Sequence, residues 1–310
     1  MLQVRGSSTG LCARSRVLLR SSRGTLSSVR PSLGTFHRHP CQAAVTLVTE
    51  LDAKTGEVCR VEPESSVSVC MATHNGGKFV REQICSILAQ LSADDELVIT
   101  DDCSTDDTIQ IISDIGDSRI DLWRSPIHLG HVGAFTNSMQ RAGGEIVLLA
   151  DQDDIWLPHR VELFRAAFHD PAPAVVATAF VEFDAIEQVS GKDWIRRVQP
   201  TASRPIGDVL LLLAGGQNYW GCTMGLNRGA LEAFLPVPSY VKAHDHWLAS
   251  IGIALGGVVQ LPIPTVARRI HGGNMTQPES FARRLRYRAT MLRMLRDAKG
   301  RTTGRAWGGV

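Results

Sequence analysis

The sequence lacks the paired cysteines that mark a disulfide scaffold or a structural zinc site. Its seven cysteines are odd in number and scattered, and none forms a Cys-x-x-Cys pair. Such a set is typical of a reducing compartment rather than of a secreted, disulfide-stabilised domain. We therefore expect a cytoplasmic protein in which cysteines such as Cys70 and Cys85 serve as small core residues.

The sequence also lacks an apolar run that stays free of turn residues over the length of a membrane span. Two uncharged stretches, residues 209–227 and 247–267, are long enough to cross a bilayer. Glycines and amide side chains interrupt both stretches, and the second also contains Pro262 and Pro264. We predict that each folds as a helix, a turn and a strand within a soluble core.

Acidic residues are absent from residues 1–49, which carry seven arginines. Residues 279–310 carry nine basic residues against two acids, whereas the segment between holds 17 basic and 29 acidic residues. A nucleic-acid binder would carry its basic charge on the folded body, so that class is excluded. Residues 1–64 are predicted to be a basic, disordered extension, and an organellar transit peptide is the alternative.

The most informative segment present is Asp-Gln-Asp-Asp at residues 151–154, directly after the apolar residues 146–150. In an extended chain Asp151 and Asp153 point the same way, roughly 7 Å apart, and repel by on the order of 2 kcal/mol. A divalent cation would reverse that repulsion, and carboxylate oxygens suit Mg²⁺ or Mn²⁺. The alternative is a solvated loop in which Asp153 or Asp154 caps the next helix. The spacing alone leaves both open.

Strand patterns alternate with helix patterns from about residue 66 to residue 183. Ser104 and Asp107 occupy capping-box positions before a predicted helix that includes Ile109, Ile112 and Ile115. Further helices are predicted at residues 133–142 and 157–168. The alternation predicts an α/β fold with a mainly parallel central sheet and helices on both faces.

Polar clusters follow three of the predicted strands, at residues 73–75, 101–102 and 151–154. In parallel sheets, ligand sites lie beyond the carboxyl ends of the strands. Because all three clusters fall at such ends, we predict that they converge on one site.

Five motifs follow one another in a characteristic order. They are Ala72-Thr73-His74-Asn75, Asp101-Asp102-Cys103-Ser104-Thr105-Asp106, Asp151-Gln152-Asp153-Asp154-Ile155-Trp156, His244-Asp245-His246-Trp247-Leu248-Ala249 and Arg269-Ile270-His271-Gly272-Gly273-Asn274. Together they resemble the inverting family 2 glycosyltransferases of GT-A fold, and the third motif is most similar to rhamnosyltransferase-like members. The likeness covers about residues 66–275. It implies a GT-A domain at residues 65–275, with a Rossmann-like nucleotide-binding half and an acceptor-side half, followed by a basic helix and flexible tail at 276–310.

The resemblance implies an enzyme of polysaccharide biosynthesis. It would be a metal-dependent, inverting hexosyl or rhamnosyl transferase that moves a sugar from a nucleotide-diphosphate donor, for example dTDP-rhamnose, to a hydroxyl of a glycan or lipid-linked acceptor. His128 and Ala134 stand where the family usually has Asn, which bears on the donor sugar.

The resemblance also assigns roles to single residues. Asp245 would be the catalytic base. The metal, Mg²⁺ or Mn²⁺, would be held by Asp151, Asp153 and His271. The nucleotide and donor would be bound by residues that follow the strands: Thr73, Asn75, Asp101, Asp102, Asp151 and Gln152.

Several alternatives stay open at this point. Asp245 could instead be the N-cap of a helix, and His271 could be a plain loop residue. A sugar-nucleotidyltransferase or a non-catalytic nucleotide-sugar-binding module would share much of this pattern. The basic helix, predicted at residues 279–297 with Phe281, Leu285 and Leu292 on one side, could be solvated or could contact an anionic membrane at its inner face.

Overall fold

The computed structural model describes residues 65–169, 173–183, 209, 219–271 and 281–303, the side chains of 281–287 excepted. The predicted N-terminal extension at residues 1–64 lies outside the described residues. So do Gly272, Gly273 and Asn274 of the fifth motif, and the side chains of Phe281 and Leu285.

Eight strands and seven α-helices make up the described part of the chain. The strands are β1 (Val67–Thr73), β2 (Glu96–Asp101), β3 (Ile120–Arg124), β4 (Ile146–Asp151), β5 (Ile155–Trp156), β6 (Val175–Phe183), β7 (Met224–Asn227) and β8 (Val258–Arg269). The helices are α1 (Val80–Leu88), α2 (Thr108–Ser113), α3 (Gly130–Arg141), α4 (Arg160–Ala167), α5 (Arg228–Phe234), α6 (His244–Ala254) and α7 (Phe281–Thr303). A short 3-10 helix, Gly221–Thr223, precedes β7.

The strands form one sheet in the order β3-β2-β1-β4-β7-β6-β8-β5. The pairs among β3, β2, β1 and β4 are all parallel. Strand β7 is antiparallel to β4 and β6, β6 is parallel to β8, and β5 is antiparallel to β8. The predicted α/β fold with a mainly parallel sheet is confirmed.

Two buried clusters cover the two faces of the sheet. Val69 and Met71 of β1 belong to the same cluster as Ile84 of α1, whereas Cys70 between them belongs to the cluster of Phe135 in α3. Alternate side chains of one strand thus enter different cores. This is the pattern of a strand that is buried on both faces, and it explains why β1 is apolar almost throughout.

The predicted capping box before α2 is wrong. The helix begins at Thr108, and the side chain of Asp107 makes no capping bond. Asp106 takes that role, because its Oδ1 accepts a hydrogen bond of 3.1 Å from the Thr108 N–H. The helix ends at Ser113, so Ile115 lies beyond it.

Two further helix boundaries differ from the predicted ones. Ile155 and Trp156 pair with β8 as a short strand, and α4 begins only at Arg160, after His159 in a left-handed conformation with φ 66°. Helix α3 begins at Gly130 rather than at residue 133.

Of the two long uncharged stretches, the second folds as predicted, whereas residues 210–218 of the first lie outside the described residues. The second runs from α6 through a turn at Gly256 and Gly257 into β8, and the described end of the first is β7. Among the residues described, no helix combines the length and the apolar character that crossing a bilayer requires.

The basic helix α7 is longer than predicted and reaches Thr303, into the segment predicted to be a flexible tail. Its buried residues Met291, Met294 and Ala298 share a core cluster with α6. Leu292, which was predicted on the packed side, is 54% exposed, because Met291 and Met294 take the inward positions.

Candidate functional site

The sheet brings the three predicted polar clusters to one edge. Thr73 at the end of β1 is in register with Asp101 of β2, and Ala72 is in register with Asp151 of β4. Because the three strands are parallel neighbours, their carboxyl ends open onto the same side. The loops that follow them form the floor of the candidate site.

The loops after β1 and β2 are tied together by side chains. Asn75 has a left-handed backbone with φ 48°, which Asn tolerates better than most residues. Its N–H donates to Ser104 Oγ at 2.9 Å, and its Oδ1 accepts from the Thr105 N–H at 2.8 Å. The N–H of Gly76 donates to Thr108 Oγ1 at 2.8 Å. The shape of the predicted nucleotide loop is therefore fixed by the loop after β2 and by the start of α2.

Asp101 lies fully buried beneath these loops. Its Oδ1 accepts from the Ser104 N–H at 2.9 Å, and its Oδ2 accepts from Thr73 Oγ1 at 3.0 Å and from Ser104 Oγ at 2.5 Å. These bonds hold the loop in place from below. The donor contacts predicted for Thr73 and Asp101 stay predictions, and the structure shows the two side chains bonded to each other.

Asp102 is almost fully buried and binds the start of α3. Its Oδ1 accepts from the Leu129 N–H at 2.5 Å, and its Oδ2 accepts from the Gly130 N–H at 2.9 Å. A carboxylate at this position also interacts favourably with the helix dipole. His128 Nδ1 lies 3.0 Å from Asp102 Oδ2, so an imidazole stands on the exposed side of this acid.

Asp151 and Asp153 extend from the end of β4 as the sequence predicts, and both are partly exposed. Burial, followed by the charge of Asp153, raises the pKa of Asp151 to about 6. Asp245 raises this pKa further, whereas His131 and Arg268 act against it. The charges of Asp153 and Asp245 thus both disfavour ionised Asp151, and a cation would relieve that repulsion.

Gln152 joins the end of β4 to the end of β1. Its Oε1 accepts from the His74 N–H at 2.9 Å, and its Nε2 donates to the His74 carbonyl oxygen at 3.1 Å. A Cβ at Gly76 would lie 2.2 Å from Gln152 Oε1, so a larger residue there would displace the Gln152 amide from His74. The donor contact predicted for Gln152 stays a prediction.

The end of β8 docks onto the segment 151–154. His271 Nε2 lies 2.8 Å from Asp153 Oδ2. Arg269 donates from its backbone N–H to Asp154 Oδ1 and from Nε to the Asp153 carbonyl oxygen, both at 3.1 Å, and it pairs with Glu82 at 2.7 Å. Sequence reasoning placed His271 but missed Arg269, which holds the acidic loop in place.

Asp245 lies in the first turn of α6. The N-cap of this helix is Ala243, so the alternative that Asp245 caps it is wrong. The His246 N–H donates to Asp245 Oδ1 at 2.7 Å and fixes the orientation of the carboxylate. The charge of Asp245 also contributes to the raised pKa of Asp151, after burial and the charge of Asp153.

Two buried groups behind the acidic loop were not predicted. Burial, followed by the charges of Asp151 and Asp153, raises the pKa of Asp154 well above its usual value. The fully buried Arg160 donates to the Cys222 carbonyl oxygen at 2.8 Å and has its own pKa lowered to about 9 by burial. An arginine at the start of a helix gives no sequence signal of such burial.

Two histidines border the site on the side of α3. His131 is exposed, and its ring lies 4.8 Å from that of His244. His244 is buried and stacked on Phe135 at 4.3 Å, and burial lowers its pKa to about 3. His244 therefore stays neutral next to Asp245.

Among the described residues, Asp151 groups with Asp154 and Cys222, whose ligand atoms all lie within 4.8 Å of one another, whereas Asp153 contacts His271 at 2.8 Å. Two carboxylates with mutual repulsion and one imidazole are held at the same edge of the sheet by β4 and β8. Carboxylate oxygens are the preferred ligands of Mg²⁺ and also suit Mn²⁺. The assignment of the ion to Asp151, Asp153 and His271 stays a prediction.

Comparison with known proteins identifies the same family that the sequence motifs resemble. The sequence model of the family described as Glycosyl transferase family 2 matches residues 68–235, more than half of the chain. An uncharacterized glycosyltransferase of Nostoc sp. is 35% identical over 219 residues, which cover 67% of this chain and 66% of that protein. The UDP-Glc:alpha-D-GlcNAc-diphosphoundecaprenol beta-1,3-glucosyltransferase WfgD of Escherichia coli is 33% identical over 97 residues, or 31% of this chain and 38% of WfgD.

A solved structure shows the same fold. S. aureus TarS 1-349 in complex with UDP-GlcNAc superimposes with a TM-score of 0.58 at 17% identity, and covers 76% of this chain and 72% of that one. At this identity the likeness concerns the fold, which agrees with the GT-A architecture predicted from the sequence.

Proposed function

Because the chain belongs to glycosyl transferase family 2, we propose that it transfers a sugar from a nucleotide-diphosphate donor to a hydroxyl group, with inversion at the anomeric carbon. The main support is at the carboxyl end of β4: Asp151 ends the strand, Asp153 follows it at 2.8 Å from His271, and the charge of Asp245 in α6 raises the pKa of Asp151. The proposed catalytic domain comprises residues 65–275.

The acidic loop and His271 would bind the diphosphate side of the donor. Asp151, Asp153 and His271 would hold a divalent cation, and Arg269 keeps Asp153 in position through its carbonyl oxygen. Bound Mg²⁺ or Mn²⁺ would supply Lewis-acid stabilisation of the charge that develops on the leaving diphosphate. The nucleotide would lie over the loops that Asn75 and Asp102 shape.

Asp245 would act as the general base. The acceptor hydroxyl must lose a proton as it attacks the anomeric carbon, and a positioned carboxylate commonly contributes about 10²–10⁴-fold to such a step. The His246 N–H orients Asp245, and the neutral His244 next to it adds no positive charge that would weaken a base. Attack from the side of Asp245, opposite the leaving diphosphate, gives inversion.

The relatives support a donor and an acceptor class. The name of WfgD gives UDP-glucose as its donor and a diphosphoundecaprenol-linked sugar as its acceptor. We extend this to a nucleotide-diphosphate hexose as donor and to a glycan or lipid-linked acceptor for this chain. The dTDP-rhamnose predicted from the sequence is one member of the donor set to be tested.

Helix α7 would bring the protein to the membrane that carries such an acceptor. Its exposed side chains include four basic ones and two apolar ones: Arg288, Ala289, Leu292, Arg293, Arg296 and Lys299. Arg293 and Arg296 both contact Asp297, which lowers the net charge of this exposed surface. Sedimentation with anionic and with neutral vesicles tests the contact, and equal binding to both would contradict it.

The decisive experiment is transfer from UDP-glucose, dTDP-rhamnose and related donors in the presence of Mg²⁺ or Mn²⁺. Asp245→Asn is expected to lower kcat by at least about 10²-fold while nucleotide binding and thermal unfolding stay unchanged. Asp114→Asn is the matched control, because Asp114 is an exposed helix-end carboxylate that bonds Gln110 at 2.6 Å. EDTA should abolish transfer, and added Mg²⁺ or Mn²⁺ should restore it.

Three outcomes would contradict the proposal in different ways. Full turnover by Asp245→Asn would eliminate Asp245 as the base. Nucleotide binding by the wild type with no transfer from any donor would indicate a non-catalytic binding module. Release of pyrophosphate from a nucleoside triphosphate would indicate a nucleotidyltransferase.

A further inference from the structure

A second group of metal-ligating side chains lies next to the proposed donor site and has a different chemistry. His74 follows β1, Asp102 follows β2, and His128 precedes α3. Each offers one ligand atom, and the three atoms lie within 4.8 Å of one another. We propose that this His74–Asp102–His128 cluster binds Zn²⁺ or a similar borderline divalent cation, and that the bound ion excludes the donor nucleotide.

The spacing of the cluster suits a small cation. His128 Nδ1 lies 3.0 Å from Asp102 Oδ2, and the rings of His74 and His128 are 5.2 Å apart and tilted by 56°. Two ligands of a tetrahedral zinc ion, each at about 2.0–2.1 Å from the metal, lie about 3.3 Å from each other. The His128–Asp102 pair already has nearly that separation.

A hydrogen bond next to the cluster fixes which ring nitrogen of His74 carries the proton. His74 Nδ1 lies 2.6 Å from the carbonyl oxygen of Asp102. A carbonyl only accepts, so Nδ1 carries the proton and Nε2 keeps its lone pair. This is the outer hydrogen bond that commonly fixes the tautomer of a metal-bound histidine. His74 Nε2 now accepts from Asn75 Nδ2 at 3.2 Å, an exposed bond that an ion would replace.

The third ligand, Asp102, is held in place by the main chain. The backbone N–H groups of Leu129 and Gly130 fix the Asp102 carboxylate at the start of α3. Both imidazoles are exposed, with 64% of the His128 side chain accessible. An ion can therefore enter from solvent and keep water as a further ligand, as three-ligand zinc sites do.

The two candidate cation sites differ in the metals that they prefer. Two imidazoles and one carboxylate favour Zn²⁺ and its neighbours over Mg²⁺, which prefers oxygen ligands throughout. The site of Asp151 and Asp153 is the more oxygen-rich of the two. In millimolar Mg²⁺ the hard cation is expected at the aspartates and the borderline cation at the cluster.

Zinc binding would have a consequence for transfer, and this step rests on the proposed function. The cluster occupies the loops after β1 and β2, where Asn75 and Asp102 would meet the nucleotide. An ion that takes His74 Nε2 also removes the bond between His74 and Asn75. Zinc is therefore expected to inhibit transfer competitively with the donor.

The experiment uses the full chain in millimolar Mg²⁺ and Co²⁺ as a spectroscopic probe. We expect visible d–d absorption typical of imidazole ligation, which Zn²⁺ then displaces. His128→Asn should weaken Zn²⁺ binding by at least about tenfold. His159→Asn is the matched control, since His159 Nδ1 also lies 3.0 Å from a carboxylate, that of Glu162, and Asn tolerates its left-handed backbone.

The results separate this proposal from the proposed function. Unchanged Zn²⁺ affinity in His128→Asn, or loss of Zn²⁺ binding in His271→Asn instead, would overturn the cluster as the zinc site. Equal zinc inhibition of the wild type and His128→Asn would overturn the competition with donor. Zinc binding that depends on His128 in a protein without any transfer activity would support the site and refute the proposed function.

Discussion

Replacing Asp151 by Asn is expected to stabilise the protein while abolishing transfer. Burial and the neighbouring charge of Asp153 raise the pKa of Asp151 from 3.8 to about 6. At pH 7.5 and without a cation, the native state holds a carboxylate that ionises more easily in the unfolded chain. Asn has nearly the same shape and no charge, so the variant escapes this penalty but cannot bind the cation as strongly.

The sign and size of the effect follow from proton linkage. The folded pKa of Asp151 lies above the unfolded value, so the native state loses stability as pH rises from 3.8 towards 6 and stays penalised above it. A difference of about two pKa units corresponds to about 3 kcal/mol at pH 7.5 and roughly half of that at pH 5. For a domain of this size, the gain at pH 7.5 would raise Tm by on the order of 6–12 °C.

Urea unfolding of the wild type and Asp151→Asn in EDTA, at pH 5 and pH 7.5, measures this gain. Asp117→Asn is the control of opposite sign, because hydrogen bonds from Arg119 lower the pKa of Asp117 to about 2 and its loss should destabilise the protein at both pH values. If Asp151→Asn is no more stable than the wild type at pH 7.5, the electrostatic account of the acidic loop is refuted. Mg²⁺ should stabilise the wild type and leave the variant unaffected.

Arg269→Lys should lower kcat by at least about tenfold and should also lower Tm. The reason is that lysine cannot bond Glu82 and the Asp153 carbonyl oxygen at the same time, as the guanidinium does. Unchanged kinetics and an unchanged Tm would show that Arg269 does not position the loop. Gly225→Ala should reduce the free energy of unfolding by about 1–3 kcal/mol, since the added Cβ would lie 2.6 Å from atoms of neighbouring side chains. Gly300→Ala, in a helix with open space at the Cβ position, should raise it by about 0.5–1 kcal/mol. Urea denaturation of the two glycine variants checks both signs, and a shift in the same direction would contradict the packing argument.

The parallel half of the fold could be predicted from sequence because its signals are local. Each of β1, β2 and β4 is an apolar run that ends in polar residues, and each is followed by a turn or a helix pattern. Strand β7 could not be predicted in the same way. It has four residues, including Gly225, and it becomes a strand only because β4 and β6 pair with it on both sides.

Sequence order located the site, but it could not say what each polar side chain does there. Asp101 and Asp153 both belong to acidic motifs, yet one is fully buried and the other is partly exposed. The difference depends on Ser104 and Thr73, which bond Asp101 from the surrounding loops. The burial of Arg160 depends on partners more than sixty residues away in the chain. Such pairings arise only when the strands assemble.

The Gln152 side chain continues the hydrogen bonding between β1 and β4 beyond their last backbone pair. Its amide both accepts from and donates to the main chain of His74, as a neighbouring strand would. Gln152 thereby joins the turn after β1, which would bind the nucleotide, to the turn after β4, which would bind the cation. A ligand that orders one of these turns should also order the other. Each ligand should therefore raise the affinity for the other, and by the same factor.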